Sequence, residues 1–297
     1  MTVTSMKPWR WLLISALLAA ALNQTTISMQ QSALPSRPDS LKFAVIGDNG
    51  TGDKPEYEVA DRMSASRETF PFELVLMLGD NMYGSQGPQD FVNKFEKPYS
   101  AMLHAGVLFY ATLGNHDNTT NSSYAGFNMG GQRYYSYVRK QVRFVVLDSN
   151  QMDPRQVAWA DETLKGASEP WKICYFHHPL YSDAGRHGSS VDLRVVLEPI
   201  FVKYGVSVVL AGHDHVYERT KPQKGITYFV EGSGGQLARG DIHPSGVTAA
   251  YFDRDQSFML AEVAGDDMFF EARSRTGQTV DSGTIHRRNG NGEREAQ

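Results

Sequence analysis

Leu74-Val-Leu-Met-Leu78-Gly79-Asp80-Asn81-Met82-Tyr83 joins an unbroken apolar run to a glycine, a carboxylate and a phenol. A run with no polar alternation suits a strand buried on both faces, as in sheets covered by helices. Glycine lets the backbone leave such a strand sharply, so the aspartate emerges at its carboxyl end. The pattern recurs. Phe43-Ala-Val-Ile46 runs into Gly47-Asp48-Asn49-Gly50, and Val107 to Leu113 runs into Gly114-Asn115-His116-Asp117. Ile173-Cys-Tyr-Phe176 leads to His177-His178-Pro179, and Val206 to Leu210 leads to Gly212-His213-Asp214-His215.

Phe144-Val-Val-Leu147 and Ile226-Thr-Tyr-Phe-Val230 read as further buried strands. Helical patterns lie between them, over Glu56 to Arg67, Pro154 to Lys165 and Ser190 to Tyr204. Asp153 stands as an N-cap before a proline at the first helical position. Strands alternating with helices argue an α/β domain whose sheets are covered by helices. Phe258 to Val263, Met268 to Ala272 and Thr279 to Ile285 read instead as antiparallel strands closing the domain. Tyr134, Tyr135 and Tyr137 suit a strand with one buried face better than an aromatic substrate platform. No internal repeat and no second core is visible, so a single domain is expected over residues 41–285.

The flanks read differently. Lys7 and Arg10 precede the apolar run Trp11 to Leu22, with small residues at Ala19, Ala20 and Ala21, the pattern of a signal peptide over residues 1–22. The run is short of the roughly 20 apolar residues that span a bilayer, which disfavours an uncleaved anchor. Residues 23–40 read as a linker and residues 286–297 as a disordered tail. A secreted or periplasmic protein is expected, with no stable membrane span after cleavage. The formal net charge of −4 offers no footprint for nucleic acid, so no nucleic-acid partner is expected. The single cysteine, Cys174, excludes an internal disulfide and reads as a small buried hydrophobe. Sequons begin at Asn23, Asn118 and Asn121, and chance accounts for them.

The chemistry lies in the strand-end loops, because ligands of α/β sheets collect at the carboxyl ends of strands. Asp48, Asp80, Tyr83, Asn115, His177, His213 and His215 offer two carboxylates, a phenol, an amide oxygen and three imidazoles. That set suits iron, manganese or zinc and excludes a thiolate cluster. Seven donors exceed one tetrahedral ion but suit two ions sharing a carboxylate, as in phosphoryl-transfer sites. Such cations make a metal-activated hydroxide available at neutral or acid pH. A phosphate-cradling loop over Gly47 to Lys54 is excluded, because Asp53 stands where a lysine is required.

These blocks resemble the calcineurin-like metallophosphoesterases and, within them, the purple acid phosphatases, over about Phe43 to Gly235. Tyr83 narrows the likeness, which is greatest to the short, single-domain, tartrate-resistant type. The resemblance implies a four-layer α/β/β/α sandwich of two mixed sheets flanked by helices, in the α/β (α+β) class. It implies that Asp48, Asp80, Tyr83 and His215 hold Fe(III), and that Asp80, Asn115, His177 and His213 hold a divalent ion, Fe, Zn or Mn. Asp80 would bridge the two. It implies an acid phosphatase cleaving small phosphate monoesters, with His116 and His187 binding phosphate and donating a proton to the leaving oxygen. Asp117 is expected to orient the His116 ring, and His178 to stand behind the ligands or form the wall. Asn49 departs from the pattern, since an aromatic is common there in close relatives. A phosphodiesterase on the same scaffold and a non-catalytic metal-binding protein remain alternatives.

Overall fold

Strand β1 (Leu41–Ile46) is buried along its whole length, and its alternate side chains serve two different cores. Phe43 and Val45 face one, Ala44 and Ile46 the other, which is why the sequence carries no polar alternation. The structure, a computed structural model, describes residues 1–2 and 34–288. The expected signal segment, most of the linker and most of the tail fall outside the described residues.

From β1 the chain continues through α1 (Lys54–Arg67), β2 (Leu74–Met77), α2 (Pro88–Phe91), a π-helical turn at Val92–Glu96, α3 (Ser100–His104) and β3 (Leu108–Ala111). Two 3-10 turns lead to β4 (Tyr135–Arg139), β5 (Val142–Val146), α4 (Pro154–Lys165), β6 (Trp171–Tyr175), α5 (Val191–Lys203) and β7 (Val208–Ala211). The remainder is all strand: β8 (Tyr217–Thr220), β9 (Thr227–Glu231), β10 (Thr248–Phe252), β11 (Ser257–Ala264), β12 (Asp267–Ser274) and β13 (Thr279–His286). Asp153 caps α4 as expected, its carboxylate accepting from the Gln156 amide.

Two sheets result. One has the order β13-β12-β11-β1-β2-β3, the other β10-β8-β9-β7-β6-β5-β4. In the first, β1, β2 and β3 run parallel; in the second, β5, β6, β7 and β9 do. Between the sheets lies a core including Phe43, Leu76, Phe144, Ile173 and Leu210. The outer face of the first sheet is covered by Val59, Ala60 and Met63 of α1, and that of the second by Leu164 of α4 and Phe201 of α5. This is the four-layer arrangement of two mixed sheets between helices. Cys174 is free and buried in the outer core of the second sheet.

Packing begins ahead of residue 41. Leu34 is buried, and the amides of Ser36 and Arg37 donate to the buried carboxylate of Glu262 at 2.6 Å each. The end of the stretch read as a linker therefore lies on the domain. At the other end β13 reaches His286, and the Arg287 amide still bonds the Asp266 carbonyl. Tyr135 and Tyr137 sit on β4 with rings against the inter-sheet core, as a one-faced strand requires. Among the described residues no helix is long and apolar enough to cross a membrane.

Candidate metal centre

The parallel strands of both sheets end at a common rim, and there the five loops meet. Asp48 follows β1, Asp80 and Tyr83 follow β2, and Asn115 follows β3. His177 follows β6, while His213 and His215 follow β7. The turns are tight. Asp48, Asp80 and His213 adopt left-handed backbone conformations, with φ of 54°, 51° and 70°. Such strain costs on the order of 1 kcal/mol per residue and persists where the surroundings enforce it. Gly79, at φ +94°, has the His177 ring where a side chain would stand. A Cβ on Gly114 would lie 2.1 Å from Asp80 Oδ1, so only glycine fits there.

Two groups of donors form. In the first, the Tyr83 hydroxyl lies 3.1 Å from Asp48 Oδ1 and 3.2 Å from His215 Nε2. In the second, His177 Nε2 lies 3.0 Å from Asn115 Oδ1 and 3.2 Å from His213 Nδ1. Asp80 touches both. Its Oδ1 is 3.5 Å from His177 Nε2, and its carboxylate clusters with Asp48 and His215. All seven expected donors are brought together, with Asp80 between the groups.

The backbone around them is fixed by hydrogen bonds. The amide of His213 donates to Asp48 Oδ2 at 2.8 Å and that of His116 to Asp80 Oδ1 at 2.9 Å. His177 Nδ1 donates to the Leu78 carbonyl at 2.9 Å, which leaves Nε2 as the lone-pair nitrogen facing the centre.

The donor set fits cations. Asp48 and Asp80 are both buried, and burial, reinforced by the Asp80 charge, holds the Asp48 carboxyl well above the usual carboxylate range. Burial drives His177 well below the ordinary imidazole range, and drives His213, crowded by neighbouring imidazoles, down to about 2. Burial first, then the two aspartates, pushes the Tyr83 phenol up. The set thus presents neutral imidazoles and carboxylates that lack a counter-charge, a mismatch that bound cations relieve.

The other expected residues take several places. The His116 ring packs on Tyr83, centroids 4.7 Å apart, with Nε2 4.0 Å from Asp80 Oδ2 and half of its side chain exposed. The His187 ring lies over His213 at 4.2 Å and is exposed. The expected partnership of Asp117 with the His116 ring does not form. Asp117 Oδ2 instead accepts from the Asn81 amide, the Asn81 side chain and the Gly114 amide, because those donors close the turn beneath it. His178 Nδ1 bonds Ser149 Oγ at 2.8 Å, and its ring lies 4.3 Å from that of His213. Asn49 is fully buried, close to Glu56 and Tyr99.

Three supporting residues escape a sequence reading. Ser149 anchors His178, and Asn150 Nδ2 bonds the carbonyls of Leu113 and Gly114 at 3.1 and 3.2 Å. Both follow the apolar run of β5, the same strand-end signal that marks the ligands. Asp214 Oδ1 accepts from the Gly188 amide at 3.4 Å, next to His187. Nothing in its local sequence distinguishes it from a turn residue.

The calcineurin-like phosphoesterase profile matches residues 41–217, which include every one of these donors. The chain belongs to that family. This phosphoesterase is 26% identical to the tartrate-resistant acid phosphatase type 5 of Oryctolagus cuniculus over 298 residues, covering 81% of the chain and 89% of the relative. Among solved structures it resembles the purple acid phosphatase PPD1 of yellow lupin, with a TM-score of 0.69 at 20% identity over 86% of this phosphoesterase and 55% of that chain. It also resembles GAP50, the anchor in the inner membrane complex of Plasmodium, with a TM-score of 0.72 at 18% identity over 84% and 90% of the two chains. These likenesses support the same fold for the calcineurin-like phosphoesterase described here.

Proposed function

We propose that this phosphoesterase is a secreted, dinuclear-metal acid phosphatase that cleaves small phosphate monoesters. The observation that carries the reading is Asp80, a buried carboxylate standing between two donor groups, one containing a phenol and the other two imidazoles. Asp48, Asp80, Tyr83 and His215 would hold the first ion, and Asp80, Asn115, His177 and His213 the second. The phenol suits ferric iron at the first position, and the nitrogen-rich second set suits divalent iron, zinc or manganese. Two cations so placed supply Lewis-acid stabilisation of the charge that develops on a phosphoryl group.

The chain's own residues supply the rest. His116 and His187 border different donors of the cluster, one against Tyr83 and one against His213, with their rings open to solvent. A phosphoryl group at the cluster would meet both imidazoles. Each can donate a hydrogen bond to a phosphoryl oxygen, and a protonated ring can pass its proton to the leaving alcohol oxygen. The buried floor of Asp48, Asp80 and His177 excludes water from beneath.

The test is turnover of an aryl phosphate monoester and an aryl phosphate diester by the full chain loaded with iron and zinc. Monoester hydrolysis at acid pH is expected, with H116A and H187A each slowing kcat about 100-fold at unchanged metal content. Faster diester than monoester turnover would make the protein a diesterase instead. Absence of turnover in fully loaded protein would leave a metal-binding protein without catalysis.

A further inference from the structure

We propose that Gln86 is a positioning residue for His116, an inference that rests on the phosphatase reading above. Asp117 does not orient His116, yet that histidine is held on both sides. Its amide is fixed to Asp80 Oδ1 at 2.9 Å. The other side is secured by a residue thirty positions earlier. Gln86 Nε2 donates to the His116 carbonyl at 2.6 Å and to the Met82 carbonyl at 3.0 Å. Its Oε1 accepts from the Asn118 amide at 2.9 Å and from Asn121 Nδ2 at 2.8 Å.

The full capacity of a carboxamide is used: two N–H donors and two lone pairs, each with a partner of the right kind. Turning the amide over would set nitrogen against two donors and oxygen against two carbonyls, so the four partners select one orientation. Because Met82 precedes Tyr83, Gln86 ties the backbone of the Tyr83 loop to that of the His116 loop. The backbone segments that carry these two rings, 4.7 Å apart, are therefore linked by one side chain outside the donor cluster. Asn121, only 3% exposed, locks the far end and also reaches Asp117 Oδ1 at 3.4 Å. Freed from Gln86, the His116 carbonyl and the Asn118 amide would lose their side-chain partner, while the His116 amide keeps Asp80 and Asp117 keeps its turn contacts. The imidazole could then swing while the metal donors stayed in place.

The test is a double-mutant cycle with a second, non-kinetic readout. Q86A is expected to lower kcat on an aryl phosphate about tenfold, a misplacement effect, with metal content and KM changed less than about twofold. In an H116A background the same substitution should change kcat by less than about twofold, because its target is gone. Q86E keeps both acceptor contacts and loses both donors, so it should reproduce most of the kinetic loss while protecting the Asn118 amide. Hydrogen exchange at that amide should quicken at least about tenfold in Q86A and little in Q86E, with or without metal.

An equal loss from Q86A in both backgrounds, or unchanged Asn118 exchange in Q86A, overturns the positioning role. Wild-type turnover in H116A would instead overturn the part given to His116 in catalysis, and this proposal with it.

Discussion

Nε2 of His177 faces Oδ1 of Asn115 at 3.0 Å, lone pair against lone pair. The ring's only proton is committed to the Leu78 carbonyl, and burial keeps the imidazole neutral. Two acceptors held this close repel unless a cation lies between them or beside them. Chelation should therefore destabilise the fold instead of merely silencing it. Removing bound metal is expected to lower the unfolding temperature by roughly 5–10 °C, as ligand linkage requires. Calorimetry of loaded and chelated protein measures this, and identical transitions would contradict it.

Tyr83 should be separable from the fold. Its hydroxyl bonds Asp48 and His215, both members of the donor cluster. In iron-loaded protein a visible ferric–phenolate band is expected, and Tyr83→Phe should abolish it. The metal-free variant should unfold within about 1 kcal/mol of the parent. A band that survives the substitution would place the colour, if any, on another group.

Gly114→Ala should disable the centre without replacing a ligand. The added methyl would stand 2.1 Å from Asp80 Oδ1 and 2.2 Å from the Asp80 amide, so the bridging carboxylate must move. Bound metal is expected to fall below two equivalents and turnover by more than about 100-fold. Elemental analysis beside the kinetics decides it; two tightly held ions in the variant would count against the bridge.

Glu231 should set part of the pH dependence of the metal-free protein. Burial, with Asp48 nearby, pushes its carboxyl up to about 8 from the ordinary 4.5. The folded state then holds one more proton than the unfolded state between those values, so stability falls as pH rises from about 4.5 through about 8. The loss is on the order of a few kcal/mol. Glu231→Gln keeps an acceptor for the Ser257 hydroxyl, which bonds Oε1 at 2.8 Å, and should flatten this dependence. Denaturant unfolding at pH 5 and pH 8 provides the comparison.

Much of the architecture is legible because burial on two faces writes itself into composition. β1, β2, β3, β5, β6, β7 and β9 read as apolar runs, and the donors follow β1, β2, β3, β6 and β7 at the point where a turn must come. β8 and β10 escape notice because Tyr217–Thr220 is mostly polar and Thr248–Phe252 lies at a sheet edge with alternating exposure. The short helical segments between Pro88 and His104 are legible only in the folded chain, since none is long enough to show a period. Within the centre, the ligands declare themselves by side-chain chemistry. Gln86 does not, because three of its four partners are backbone groups from loops that sequence distance conceals. Asp117 misleads for the converse reason: adjacency to His116 suggests a pair, while the turn directs its carboxylate the other way.

Each donor group draws on both sheets: His215 joins Asp48, Asp80 and Tyr83, and His177 and His213 join Asp80 and Asn115. The two sheets behave in this respect like the covers of a book fastened at the fore-edge, with Phe43 against Phe144 in the pages between, rings 5.7 Å apart. Thinning or thickening that interior changes the gap the clasp must span. Conservative replacements far from solvent should therefore retune metal affinity, and repacking of the interior becomes a route to altering the chemistry at the rim.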